Sequence, residues 1–262
     1  MSLVELEERP DGVVFVRANR PPVNAMSPEF CQEMERMVSG LALRDDVRVV
    51  VFASRVPDYF MVGFDLDFLA ERMGRGFSDR ELEELHGIGR QAHRMNDAVE
   101  ALPQPTIAAM AGHAAGGGFE LALACDVRIM AGDPRYRVGL PEVHLGLVPA
   151  AGGTQRLVRL LGPGPAMPLL LEGRRVPPDE ALRIGLVHEV ARPEDMAGAV
   201  DAACARLLKG GRLAQSVVKR CVRAGAIDAQ AGYRMEETGF ITCANSQETR
   251  QRVLAFLAKN KP

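Results

Sequence analysis

Residues 112–126, GHAAGGGFELALACD, place three consecutive glycines before a phenylalanine and then a carboxylate, Glu120, at the head of an apolar run. Because glycine lacks a Cβ atom, such a run serves either close packing of a strand against a helix or a loop whose bare N–H groups bind an oxygen anion. The glycine spacing matches neither the dinucleotide fingerprint nor the Walker motif. A helix dipole alone would also favour an acid in the first turn, so both interpretations stay open on this stretch.

A second carboxylate lies at another glycine-rich helix entrance. In residues 138–157, VGLPEVHLGLVPAAGGTQRL, Glu142 follows a proline and precedes a pair of glycines. Two carboxyl groups in one apolar pocket are pushed to different pKa values, which leaves one available as an acid and the other as a base. We therefore predict that Glu120 and Glu142 form a proton-transfer pair.

The composition narrows the class of protein. A chain of 262 residues with 47% hydrophobic and 25% charged residues suits a globular domain with a sizeable core. The net charge of −2 and the absence of a Lys/Arg block argue against a nucleic-acid partner. Five scattered cysteines without a CxxC pair predict reduced thiols, a cytoplasmic location and no metal site. No apolar stretch of about 20 residues is present, so no membrane partner is expected.

The pattern of strands and helices predicts an α/β fold. The run VRVVVFAS (47–54) is typical of a strand buried on both faces, and Ser27 followed by Pro28 is typical of a helix start. Short strands alternate with helices up to about residue 150, and the remainder is predicted to be almost wholly helical. The strand signals stop near residue 195, which gives two predicted regions, 1–195 and 196–262.

Four blocks of the sequence resemble a known family. GHAAGGGFELALACD, GLPEVHLGLVPAAGGTQRL, RPPVNAMS and YFMVGFDL are similar to the signature blocks of the enoyl-CoA hydratase/isomerase (crotonase) superfamily, in order and over nearly the full length. The resemblance implies a spiral of ββα units with an acyl-CoA site in residues 1–195. It also implies that residues 196–262 form a helical region that makes homotrimers, which often pair into hexamers.

The resemblance also implies roles for individual residues. The thioester oxygen would lie between the backbone N–H groups of Phe64 and Gly117, which stabilise an enolate. Glu120 would activate the water that adds across the 2,3-double bond, and Glu142 would exchange the proton at C2. The residues implied to bind substrate are Phe64, Asp65, Leu66, Asp67 and Gly117. Coenzyme A is part of this substrate, and no further cofactor is expected.

Departures from the family pattern leave alternatives open. Phe64 stands where hydratases commonly carry a small residue, so the length of the acyl chain is not predicted. Lys259 is kept near the C-terminus, where a contact with the CoA phosphate of a neighbouring subunit is one interpretation. Double-bond isomerisation using Glu142 alone, or other acyl-CoA chemistry, is the alternative activity. An RNA-binding or assembly protein on the same fold is the alternative without catalysis.

The remaining polar candidates are assigned structural roles. His113 and His144 flank the proposed site and are predicted to be structural. Lys219, Arg220 and Arg223 form a small basic cluster on a predicted helix. We predict that this cluster is a solvated face.

Overall fold

The computed structural model describes residues 2–67, 70 and 77–259. Its strands, in chain order, are β1 (Val4–Glu8), β2 (Val13–Ala18), β3 (Val49–Ser54), β4 (Tyr59–Met61), β5 (Thr106–Met110), β6 (His113–Ala115), β7 (Val127–Ala131), β8 (Val138–Gly139), β9 (Arg175–Val176) and β10 (Glu189–Ala191). Its helices are α1 (Pro28–Ala42), α2 (Asp79–Ala101), α3 (Gly117–Ala124), α4 (Gly153–Leu161), α5 (Pro163–Leu171), α6 (Pro178–Arg183), α7 (Met196–Leu208), α8 (Arg212–Gly225), α9 (Ala229–Ala244) and α10 (Gln247–Lys259). Short 3₁₀ helices span Glu142–Leu145 and Pro193–Asp195. The predicted α/β class is confirmed.

The strands form two sheets that the chain visits alternately. The larger sheet has six strands in the order β1-β2-β3-β5-β7-β10, and the smaller has four in the order β4-β6-β8-β9. Only the β1–β2 and β8–β9 pairs are antiparallel among the described strands. From β3 to β8 each strand of the large sheet is followed by one of the small sheet, so every turn of the chain adds one strand to each.

Local signals explain where the elements begin. The Ser27 hydroxyl accepts a hydrogen bond from Phe30 N at 3.2 Å, which satisfies a free amide at the start of α1. Ser78 and Glu81 form a reciprocal capping box at the start of α2. In β3, Val49, Val50 and Val51 are fully buried, as expected for a strand covered on both faces. The predicted helix start at Ser27 and the predicted strand in 47–54 are therefore confirmed.

Two strands lie in the stretch that was predicted to be helical. β9 contributes two residues to the small sheet, and β10 pairs in parallel with β7 through Glu189 and Ile129. Both are very short, and the stretch around β10 has no extended run of β-branched residues. Their strand conformation comes from pairing with an existing sheet edge, so the local pattern did not signal it.

The predicted solvated basic face is wrong for two of its three members. Lys219 Nζ lies 2.6 Å from Asp126 Oδ2, and Arg223 Nη2 lies 3.0 Å from Asp126 Oδ1. The Lys219 side chain is only 10% exposed and also donates to Gln104 O. These contacts tie α8 to the start of β7, whereas Arg220 is exposed.

After β10, the described chain contains α7 to α10 and no further strand, in line with the helical remainder that was predicted. The division into regions 1–195 and 196–262 stays a prediction. Among the described residues, no helix combines the length and the apolar character needed to cross a membrane.

We predict that Gly118→Ala destabilises the fold. A Cβ atom on Gly118 would lie 2.2 Å from Met61 O, so α3 would have to move away from β4. The expected loss is about 1–3 kcal/mol in the free energy of unfolding, measured by chemical denaturation. Gly87→Ala in α2 is the matched control, because its Cβ would meet nothing within 4 Å. It should gain up to about 1 kcal/mol; equal stability of the two variants would contradict the prediction.

Candidate active site

The glycine run closes one side of a site by bringing backbone segments into contact. A Cβ atom on Gly116, whose φ is +54°, would lie 2.7 Å from Glu142 Oε1 and 3.1 Å from the Cα of Gly63. A Cβ atom on Gly117 would lie 2.5 Å from the sulfur of Met26. Side chains at these positions would displace the neighbouring groups. The interpretation of the glycines as close packing is therefore confirmed, and the binding of an oxygen anion by their N–H groups stays a prediction.

Two backbone segments meet at this point. Met26 N donates to Gly63 O at 3.0 Å, and Asp65 N donates to Met26 O at 2.9 Å. In an extended chain the N–H groups alternate in direction, so the Phe64 N–H points away from the Met26 segment. Gly117 is the first residue of α3, where an N–H has no partner within the helix. A Cβ atom on Gly63 would lie 3.8 Å from Gly117 N, which places the two segments side by side.

Glu120 projects from the first turn of α3 into the interior. It is 2% exposed, and its Oε1 accepts hydrogen bonds from Ala151 N at 2.8 Å and Gly153 N at 2.7 Å. Burial raises the pKa of the Glu120 carboxyl, while the two amide hydrogen bonds and the positive charge of Arg156 oppose this shift. The second oxygen, Oε2, lies toward Gly117, where a Cβ atom would be 3.7 Å away.

Glu142 begins the 3₁₀ helix that follows β8. Burial raises its pKa to about 7, a backbone hydrogen bond within the residue opposes the shift, and the charge of Glu120 adds to it. Its Oε2 is buried and has no hydrogen-bond partner among the described residues. Near neutral pH, Glu142 is therefore present in both protonated and ionised forms.

A cavity of about 490 Å³ connects these groups. Its wall includes Glu120, Glu142, Gly117 and the ring of Phe64, together with apolar side chains from α2 and from the segment before α4. The large apolar residues in the wall are Leu66, Leu85, Ile88, Leu145, Leu147 and Val148. The cavity combines an apolar lining with two carboxyl groups beside the Gly116–Gly117 backbone, and a mainly apolar cavity with a few convergent polar groups is typical of a ligand site.

The residues predicted to bind substrate do not all line this cavity. Phe64, Leu66 and Gly117 are in its wall. Asp65 instead pairs with Arg20, with Oδ2 2.5 Å from Nη2, and its Oδ1 accepts from the exposed Asp67 N at 3.1 Å. The predicted roles of these five residues stay predictions.

The structure also gives the surroundings of the other polar groups near the site. Among the described residues, no group of three or more His, Cys, Asp or Glu side chains is placed to hold a metal ion. His113 Nδ1 accepts from Arg137 N at 3.1 Å, and His144 Nε2 bonds the Glu172 carbonyl at 2.8 Å. The Ala151 and Gly153 amides that donate to Glu120 belong to the PAAGG stretch quoted above, but no signal in the sequence indicated that they bind Glu120.

Comparison with known proteins identifies the family. The family model for enoyl-CoA hydratase/isomerase matches residues 8–262. The chain belongs to the enoyl-CoA hydratase/isomerase family. A curated relative, the crotonyl-CoA hydratase of Syntrophomonas wolfei, is 35% identical over 258 residues, which cover 97% of this chain and 95% of the relative.

Solved structures of the enoyl-CoA hydratase/isomerase family share the fold. An enoyl-CoA hydratase from Bacillus anthracis superposes with a TM-score of 0.90 at 30% identity, covering 100% of this chain and 98% of that one. An enoyl-CoA hydratase from Mycobacterium smegmatis gives 0.88 at 25% identity, covering 100% and 98%. The alternation of strands between two sheets is therefore the expected crotonase-like spiral, followed by a helical C-terminal region.

We predict that the Glu142 carboxyl titrates near pH 7 and that Glu120→Gln lowers this pKa, because the charge of Glu120 contributes to the shift. Carbon-13 NMR of labelled glutamates would measure it, with Glu142→Gln assigning the signal. The folded protein keeps this proton where the unfolded chain has lost it. The free energy of unfolding contributed by Glu142 should therefore fall as the pH rises from about 4.5 to about 7. A titration near 4.5 in the wild type would contradict the prediction.

Proposed function

We propose that this protein is an enoyl-CoA hydratase that adds water across the 2,3-double bond of a 2-enoyl-CoA thioester. The observation that supports this most directly is the pair of carboxyl groups, Glu120 and Glu142, that flank the Gly116–Gly117 backbone on one cavity. The family membership and the hydratases among the similar proteins support the same activity.

The surroundings of the two carboxyl groups favour different roles. Burial raises the pKa of Glu120, but two amide hydrogen bonds on Oε1 and the charge of Arg156 oppose that rise, and we assign the role of base to Oε2. Glu142 has no comparable partner for its buried oxygen, and its raised pKa favours the protonated form. A carboxylate and a carboxylic acid in one cavity are what addition of water to a conjugated thioester requires.

In the proposed reaction, Glu120 Oε2 takes a proton from water as the water oxygen forms a bond to C3. The π electrons of the double bond move to C2 and the thioester carbonyl, giving an enolate. Glu142 then donates its proton to C2, which completes the 3-hydroxyacyl thioester. Proton exchange with solvent returns Glu120 to its ionised form and Glu142 to its protonated form.

The enolate oxygen is proposed to lie between the N–H groups of Phe64 and Gly117. Gly117 is the first residue of α3, so the helix dipole adds to the stabilisation of a negative charge. The adjacent acyl chain would contact the apolar wall of the cavity, including the Phe64 ring. We therefore propose an apolar acyl chain, with its length limited by that ring.

We expect the purified protein to consume crotonyl-CoA, followed as loss of the absorbance of the conjugated thioester. Glu120→Gln and Glu142→Gln should each lower kcat by about 10²- to 10⁴-fold, because each removes a positioned proton acceptor or donor. Glu172→Gln is the control, since Glu172 is exposed and lies outside the cavity wall. Failure to hydrate short, medium and long enoyl chains would refute the proposal and favour the alternative without catalysis.

A variant of Glu120 distinguishes hydration from double-bond isomerisation. Isomerisation moves a proton without adding water and needs the Glu142-type acid alone. Glu120→Ala should therefore abolish the main activity of a hydratase. Retained activity toward a 3-enoyl-CoA in that variant would assign the protein to isomerisation instead.

We also propose that the protein assembles as a homotrimer or as a dimer of trimers through α9 and α10. In α9, Phe240 is 76% exposed and Ile241 is 60% exposed, and in α10 Leu254 is 58% exposed. Clustered large apolar residues exposed to this degree are typical of a subunit interface. A contact of Lys259 with a neighbouring subunit's CoA is part of this proposal.

Phe240→Lys should shift the protein from three or six times its chain mass of 28.4 kDa to the mass of one chain. The expected cause is burial of a charge in the interface, and light scattering after gel filtration measures the mass. Leu43→Lys is the control, because Leu43 is 87% exposed at the end of α1. A wild-type protein of single-chain mass would contradict the proposal.

Two further expectations stay predictions. The five cysteines are free, and the cytoplasmic location is part of the proposal. No cofactor beyond the CoA of the substrate is included in the proposed reaction.

A further inference from the structure

Arg156 is a buried cation that lies behind the candidate site without lining its cavity. Its side chain is 5% exposed, and it projects from the first half of α4 toward α2. Burying a guanidinium is costly unless all of its donors are paired. The hydrogen-bond acceptors of the Arg156 guanidinium therefore indicate the role of this residue.

Each of the three guanidinium nitrogens of Arg156 donates a hydrogen bond. Nε donates to Glu100 Oε2 at 2.7 Å, and Nη2 donates to Asp97 Oδ1 at 2.6 Å, both on α2. Nη1 donates to Ala151 O at 3.0 Å. A planar, rigid fork of this kind fixes the relative positions of the groups that it joins. Arg156 thus connects α2 to the backbone of the segment that precedes α4.

The Ala151 carbonyl lies between the two amides that hold Glu120. The N–H groups of Ala151 and Gly153 both donate to Glu120 Oε1, and the Ala151 carbonyl belongs to the peptide group between them. Asn96 Nδ2 donates to the same carbonyl at 2.9 Å. With two donors on one oxygen, this peptide group has little freedom to rotate.

The Ala151–Gly153 loop is closely packed against Arg156 and Glu120. A Cβ atom on Gly152, whose φ is +96°, would lie 2.1 Å from Arg156 Nη1. A Cβ atom on Gly153 would lie 2.7 Å from Glu120 Oε1. The Arg156 guanidinium therefore packs directly against Gly152, and the Glu120 carboxylate packs directly against Gly153.

We infer that Arg156 is a positioning residue that holds the Ala151–Gly153 loop, so that two amides fix one oxygen of Glu120 and the other faces the cavity. This inference rests on the proposed role of Glu120 as the base. Arg156 also acts through its charge. The charged groups around Glu120 are Arg156, Glu142 and Arg175, with Asp97 and Glu100 behind the guanidinium.

The test separates the charge of Arg156 from its geometry. Arg156→Gln removes both, so kcat should fall by about 100-fold and the acidic limb of the kcat/KM profile should move to higher pH. Arg156→Lys keeps the charge and loses the fork, so kcat should fall while the limb stays in place. KM should stay within about twofold in both variants, because Arg156 does not line the cavity.

Arg159→Gln is the matched control. Arg159 lies one turn further along α4 and pairs with Glu100 at 3.3 Å, but its side chain is 36% exposed, and the guanidinium that donates to Ala151 O is that of Arg156. Its substitution should change neither kcat nor the pH profile. An Arg156→Gln protein that folds and retains both would overturn the inference.

Two further measurements keep the inference testable. If Arg156→Gln does not fold, Asn96→Ala removes the other donor to Ala151 O without changing the charge. It should lower kcat on the order of 10-fold with an unmoved pH limb, and unchanged kcat would count against the inference. If the wild type hydrates no enoyl-CoA, the proposed function fails. Carbon-13 NMR then decides the inference, because Arg156→Gln should raise the pKa of Glu120 and Arg159→Gln should not.

Discussion

The close approach of backbone to backbone between β4 and the glycine segment is the constraint on which the site depends. A Cβ atom on Gly112 would lie 2.2 Å from Asp58 O, and one on Gly118 would lie 2.2 Å from Met61 O. Glycine at both ends of the segment therefore lets β6 and the first turn of α3 pack directly on β4. That contact brings Gly63 beside Gly117, in the wall of the cavity that Glu120 and Glu142 also line.

The two glutamates differ because their surroundings differ, although both are buried carboxyl groups. Burial raises the pKa of the Glu120 carboxyl, but two backbone amides and the nearby charge of Arg156 oppose that rise. The Glu142 carboxyl lacks such partners, and its pKa is raised to about 7. The protein thus supplies backbone hydrogen bonds to only one of two carboxyl groups on the same cavity, and this difference pushes their pKa values apart.

The molecule buries its apolar surface unequally along the chain. In the spiral, valines of β3 and aromatic residues such as Phe30 and Phe119 are almost completely buried. In α9 and α10, by contrast, Phe240 and Phe256 are 76% and 66% exposed. The ion pairs of Lys219 and Arg223 with Asp126 attach α8 to the spiral. The helical region therefore contacts the spiral partly through polar groups, while α9 and α10 expose large apolar side chains.

The sequence by itself determined the α/β class, the helix start at Ser27, and the two carboxylates as candidates, because periodicity, caps and glycine-rich motifs are local signals. The tertiary structure alone decided that β10 pairs with β7, that Lys219 and Arg223 are paired with Asp126, and that Arg156 donates hydrogen bonds to α2 and to Ala151 O. Each of these depends on partners far away along the chain: 97 positions separate Arg223 from Asp126, and 59 separate Arg156 from Asp97. Local pattern cannot specify such a partner, since only the packing of distant elements in the folded chain brings the two groups together.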